Sequence, residues 1–189
     1  MKKLAIFASG SGTNAQRIME YFSGSAEAEV ALVLSNKPEA YVLERAKKSG
    51  IPVRVFDRKE FYESETILQL LQDLDISLLI LAGFLWMVPG NLLKAYPGRI
   101  INIHPALLPK YGGKGMYGLI VHETVIREKE KESGISIHYV NERYDEGQII
   151  FQARCKVEES DTPETLASRI HELEYRYYPE VIRDLVRKI

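Results

Sequence analysis

The chain has little of what holds a small secreted or metal-built protein together. One cysteine, Cys155, stands alone among 189 residues, so no internal disulfide can form and a reducing compartment is expected. Its place in the strand-like run from Ile149 to Val157 reads as a buried structural thiol rather than a nucleophile. Four histidines are present, none at the spacing of a metal pair, and no metal is expected. Charge of one sign is lacking too: 25 basic against 26 acidic residues leave a formal net charge of -1, with no basic field to attract nucleic acid. Long apolar runs are missing. Leu4 to Ala8 is too short for a signal peptide or a bilayer span, which points to a cytoplasmic protein without membrane contact. No repeat, low-complexity stretch or shift of composition marks a second domain, and a single domain of this length buries roughly 70% of its unfolded surface.

What the chain does have is alternation. The apolar run Leu4 to Ala8 reads as a strand covered on both faces, and Val30 to Leu34, Val53 to Phe56 and Ile76 to Ala82 read as further strands. Helix-favouring segments over about residues 15–22, 39–49 and 60–73 separate them. This order predicts a single-domain α/β fold with a mainly parallel, Rossmann-like sheet and helices on both faces. Near the C-terminus, Ile135 to Val140, the polar turn Asn141 to Gly147 and the strand Ile149 to Val157 predict an antiparallel addition. Thr162 as N-cap and Pro163 in the first helical position then start a last helix. Its core-facing stripe is expected to be Leu166, Ile170, Leu173, Tyr177, Val181 and Leu185.

Three stretches carry chemistry. Ser9-Gly10-Ser11-Gly12-Thr13-Asn14, between a strand and a helix, would offer free backbone N–H groups and a helix dipole to a phosphate; an ordinary βα turn is the plainer reading. The turn lacks the third glycine of GxGxxG, although Ala15 in that place is tolerated by dinucleotide folds. An NAD-dependent oxidoreductase is weakened further because Ser35-Asn36-Lys37-Pro38 offers no acid to a ribose diol. Gly83 to Pro89 is an apolar loop, either core beneath a surface segment or one wall of a pocket for a flat ligand. In Arg99 to Gly113, strand geometry puts Asn102 and His104 on one face, with Ile101 and Ile103 turned into the core. Pro105 ends the strand there, and strand C-termini are where open α/β sheets bind ligands. An Asn N–H can meet an oxyanion and a His can move protons near neutral pH. Asp145, in a turn leaving the sheet, is the carboxylate that could orient His104 and keep it charged; a surface-turn aspartate is the alternative. Lys114 to Gly118 reads as a mobile flap.

Together, Gly10 to Asn14, Leu81-Ala82-Gly83-Phe84, Asn102 to Tyr111 and Asp145-Glu146-Gly147 resemble the folate-dependent formyltransferases, specifically those acting on glycinamide ribonucleotide in purine biosynthesis, over essentially the whole chain. The resemblance implies transfer of a formyl group from 10-formyltetrahydrofolate to the amine of glycinamide ribonucleotide, by a monomer or homodimer. It implies that Asn102, His104 and Asp145 are catalytic and that Gly12, Thr13 and Asn14 bind the phosphate. It places Glu174 near the substrate's amino end. Lys59, Leu85, Trp86, Met87, Val88, Asn102 and the turn Asn141 to Asp145 would hold the folate. A phosphate-binding half over about residues 1–98 and a catalytic, folate-binding half over about 99–189 follow from it. Trp86 stands where many relatives carry Arg, and Lys114 to Tyr117 replaces a histidine-bearing flap segment, which is given no catalytic role. Methionyl-tRNA formyltransferases and formyltetrahydrofolate deformylases share the core motif, but the added tRNA-binding or regulatory domain each normally carries is not seen here.

Overall fold

A strand that is apolar at every position needs cover on both faces, and the first strands of this chain are used in that way. The computed structural model describes all 189 residues. Its strands are β1 (Lys2–Phe7), β2 (Ala28–Ser35), β3 (Val53–Val55), β4 (Ile76–Leu81), β5 (Ile100–His104), β6 (Glu132–Tyr139) and β7 (Ile149–Lys156). Its helices are α1 (Thr13–Phe22), α2 (Tyr41–Lys48), α3 (Arg58–Tyr62), α4 (Thr66–Asp73), α5 (Gly90–Ala95), α6 (Leu119–Arg127) and α7 (Pro163–Val186). One sheet runs in the order β3-β2-β1-β4-β5-β6-β7, parallel through β5 and antiparallel at β6 and β7, as expected.

Alternation along β1 divides the core. Leu4, Ile6 and Ala8 join a cluster of 29 buried residues under α1, α2, α6 and α7, whereas Ala5 and Phe7 join 15 under α3, α4 and α5. The chain winds from β1 out to β3 and returns to β4 on the other side of β1, which makes a crevice at the C-terminal ends of β1 and β4.

Three sequence readings are corrected. The helix expected over about 60–73 is two, because a capping box starts α3 at Asp57, and Ser64 then accepts the Thr66 N–H where α4 begins. The last helix does start at Thr162, which shares a capping box with Thr165, but its buried face steps through Leu166, Ile170, Glu174, Tyr178, Ile182 and Leu185. Leu173 and Tyr177 flank that face, half-buried. Searching for apolar residues alone passed over Glu174 and Tyr178. The Tyr178 hydroxyl donates to the Leu81 carbonyl at 2.9 Å inside the core. Cys155 is half-buried rather than buried, because β7 is an edge strand, and its burial still pushes the thiol pKa up.

Candidate active site

At the crevice the loops after β1, β4 and β5 and the turn between β6 and β7 enclose a cavity of about 860 Å³, at the large end for a ligand site. No helix of the chain is long and apolar enough to cross a membrane.

One end of the cavity is the start of α1. Gly12 is its N-cap, with φ of 73°, and a Cβ there would lie 2.4 Å from Val42, so only glycine lets α1 pack this closely on α2. The cap makes no side-chain hydrogen bond and the first turn carries no acid, so its N–H groups and dipole face the cavity undiluted. Lys37, absent from the sequence-based site, lines the same cavity and is exposed. Asn14 and Glu174 also line it, and their side chains are paired: Asn14 Nδ2 donates to Glu174 Oε2 at 2.9 Å, while Asn14 Oδ1 is buried without a partner. Burial drives the Glu174 pKa up to about 7, only partly opposed by Asn14.

The loop after β4 is both of the things its sequence allowed. Phe84 and Trp86 pack on Phe7, Phe56 and Phe61, with the Phe7 and Phe84 rings 5.4 Å apart, while Leu85, Trp86, Met87 and Val88 line the cavity. Ser9 ties this loop to the glycine turn, accepting the Leu85 N–H and donating to Asn36 Oδ1. Lys59 is exposed on α3 and does not line the cavity; its neighbour Arg58 lies over the Tyr62 and Trp86 rings instead.

At the other end, residues from distant segments converge. Gly147 allows the turn to fold back, since a Cβ there would meet the Tyr139 carbonyl oxygen at 1.6 Å. Asp145, at φ of 55° and with 12% of its side chain exposed, is thereby inserted beside β5. Its Oδ2 lies 3.6 Å from His104 Nδ1 and accepts the Gly113 N–H at 2.9 Å. Its Oδ1 lies 3.5 Å from Asn102 Nδ2 and 3.6 Å from His138 Nε2. His138, missed in the sequence reading, faces Asn102 across the β5–β6 ladder, with 3.2 Å between Asn102 Nδ2 and His138 Nε2. The alternation of Ile135, Ser136, Ile137 and His138 was the signal that could have found it.

Proton positions follow from the partners, because a carbonyl only accepts. His104 Nε2 donates to the Tyr111 carbonyl at 2.7 Å and His138 Nδ1 to the Tyr139 carbonyl at 2.8 Å. The nitrogen that each ring turns toward Asp145 therefore carries a proton only when that ring is charged. Burial lowers the His104 pKa and outweighs the raising effect of Asp145, which corrects the expectation that the carboxylate keeps this ring charged. Burial also raises Asp145, but hydrogen bonding to His138, the charge of His104 and the Gly113 N–H together hold it below its usual value. The result is a desolvated carboxylate between two rings that can each accept one proton.

Asn102, His104 and Asp145 thus meet at a switch-point crevice whose other end is a helix N-terminus with free N–H groups, an arrangement suited to an enzyme that transfers a group between two bound molecules. The family model described as formyl transferase matches residues 2–182, and the chain belongs to that family. The members it is similar to are phosphoribosylglycinamide formyltransferases. That of Bacillus subtilis is 39% identical, covering 98% of this chain and 95% of the relative. The chloroplastic protein of Arabidopsis thaliana is 42% identical over 96% of this chain, which spans 64% of that relative's length. The crystal structure of the Bacillus halodurans protein superposes with a TM-score of 0.87 at 42% identity, over 98% of this chain and 95% of the other.

Proposed function

We propose that the chain transfers the formyl group of 10-formyltetrahydrofolate to the amine of glycinamide ribonucleotide in purine biosynthesis. The observation that carries this reading is the meeting of Asp145 with His104 and Asn102 across 41 and 43 residues of chain, in the cavity that also holds the start of α1. The substrate phosphate takes the N–H groups at Gly12, Thr13 and Asn14, and Glu174 binds further along the same molecule. The pterin lies between Leu85 to Val88 and the Asn141 to Asp145 turn.

The amine attacks the formyl carbon and an oxyanion develops. Asn102 Nδ2 donates to it; the amide's present contacts, at 3.2 and 3.5 Å, are long enough to exchange for a stronger acceptor. The amine proton passes to Asp145 and its paired imidazoles. Protonation of His104 at Nδ1 places a positive charge beside the oxyanion, and the proton then leaves with the folate nitrogen. His104 Nε2 is held by Tyr111, so its charge rather than a free N–H is the main contribution in this arrangement.

The test supplies glycinamide ribonucleotide and 10-formyltetrahydrofolate and follows release of the deformylated folate. Release only with the acceptor supports the reading, whereas release without it would mean hydrolysis and no release would exclude formyl transfer between this pair. Asn102→Ala and His104→Ala should each lower kcat by about 10²–10³ with KM little changed. Near-normal turnover in either removes that residue from the site.

A further inference from the structure

Both rings beside Asp145 hold the carboxylate, but only one of them also holds Asn102. Asn102 and His138 stand directly opposite each other on the antiparallel strands β5 and β6, so strand pairing alone brings their side chains together on one face. His138 is only 2% exposed, and its Nδ1 donates to the Tyr139 carbonyl at 2.8 Å. That bond puts the proton of the neutral ring on Nδ1 and leaves Nε2 with a lone pair alone. Asn102 Nδ2, 3.2 Å away, therefore donates to it.

A primary amide has nearly the same shape at its oxygen and nitrogen ends, so its orientation is decided by its partners. Here both neighbours, His138 Nε2 and Asp145 Oδ1, accept, and the nitrogen must face them. The two contacts are unequal. At 3.5 Å the contact with Asp145 lies beyond the usual hydrogen-bond range, so it is the one that gives way to a stronger acceptor. The 3.2 Å bond to His138 then stays in place.

We propose that His138 is a positioning residue acting through Asn102: its Nε2 lone pair holds one Nδ2 hydrogen and keeps the other aimed at the developing oxyanion. This inference deepens the function proposed above and rests on it. It also divides the work of the two rings. A proton on His138 Nε2 would set two donors against each other at 3.2 Å. His104 Nδ1 makes no hydrogen bond that such a proton would break, since that ring is held through Nε2. The proton that Asp145 takes from the attacking amine therefore passes to His104. When the bond between the formyl carbon and the folate nitrogen breaks, its electron pair stays on that nitrogen and the proton moves there from His104, so none is gained or lost over the cycle.

The test uses two substitutions that separate the nitrogens of the ring. An Asn side chain extends as far as Nδ1 and can still donate to the Tyr139 carbonyl, whereas a Gln extends as far as Nε2 and brings a carbonyl acceptor to Asn102. With each variant first checked for a cooperative thermal transition, His138→Asn should lower kcat about tenfold, the effect of one hydrogen bond, and His138→Gln should stay within about threefold of the parent. KM for either substrate should change by less than about twofold. In an Asn102→Ala background, His138→Asn should lower kcat by less than about a further twofold, because its target is gone. An undiminished loss in that background would mean that His138 acts through Asp145 or the fold and would overturn the proposal, as would parent-like kcat in His138→Asn or equal losses in both variants. The amide can also be followed without turnover by nuclear magnetic resonance. One side-chain amide proton of Asn102, assigned by its absence in Asn102→Ala, should move upfield in His138→Asn, and an unmoved resonance would overturn the proposal. Inability of the parent enzyme to formylate glycinamide ribonucleotide, with the resonance moving as stated, would instead overturn the functional reading.

Discussion

Asp145 owes its properties to being placed with one carboxylate oxygen 3.6 Å from His104 and the other 3.6 Å from His138. Both imidazoles have one nitrogen committed to a backbone carbonyl, and both turn the other toward this carboxylate. Asp145→Asn keeps the shape but removes the proton acceptor, so kcat should fall at least about 10²-fold while both substrate KM values change little; steady-state kinetics at saturating folate checks this. Two other buried groups set opposite pH dependences of stability. The folded-state pKa of Glu174 is raised from 4.5 to about 7, so its contribution is fully present below 4.5 and lost as pH rises through 7. His122 is lowered from 6.5 to about 4, so its contribution is present above 6.5 and lost as pH falls toward 4. Urea unfolding should therefore find Glu174→Gln gaining stability relative to the parent between pH 5 and pH 8. A constant difference across that range would contradict the raised pKa.

Elements, rather than single residues, decide how firmly these groups are held. The loop after β5 is pinned through Tyr111, whose hydroxyl donates to Glu130 Oε1 at 2.8 Å while its carbonyl holds His104. Burial and then the Glu130 carboxylate push the Tyr111 hydroxyl pKa up to about 12, which keeps it a donor. Tyr111→Phe loses that anchor and leaves the carbonyl in place, so kcat should drop by roughly fivefold, the effect of one hydrogen bond of about 1 kcal/mol. Parent-like kcat in that variant would mean that the loop needs no such tie. The last helix is joined to the sheet by Tyr178, and Tyr178→Phe should destabilise the fold by about 1–2 kcal/mol in urea, because it removes a fully buried hydrogen bond to the Leu81 carbonyl. Sequence reading located these elements well, since strand and helix periods follow from which residues avoid water. It failed on α7 because Glu174 and Tyr178 are polar groups buried with partners, Asn14 and Leu81, that lie far away in the chain. It failed between 60 and 73 because the break comes from Ser64, whose hydroxyl accepts the Thr66 N–H, a local polar signal inside a helical pattern.

At the scale of the whole molecule, winding the sheet outward in both directions from β1 brings the glycine turn, the β4 loop and the end of β5 to one crevice. Residues on both sides of position 98 line it: Gly12 to Asn14 and Leu85 to Val88 come from the first half, and Asn102, His104, Asp145 and Glu174 from the second. Neither half encloses the cavity alone. The pairing of Asn102 with His104 was legible from strand parity, because two residues along one strand share a face. Their contact with Asp145 is a tertiary event, set by a turn that folds back over Tyr139, and local sequence rules carry no such distance. The central claim is that Asp145 and His104 act as one unit, and a double-mutant cycle on kcat with Asp145→Asn and His104→Gln tests it most directly. The double variant should be no slower than the slower single variant, to within about twofold. Multiplication of the two single losses would mean that the residues act independently and would contradict the account.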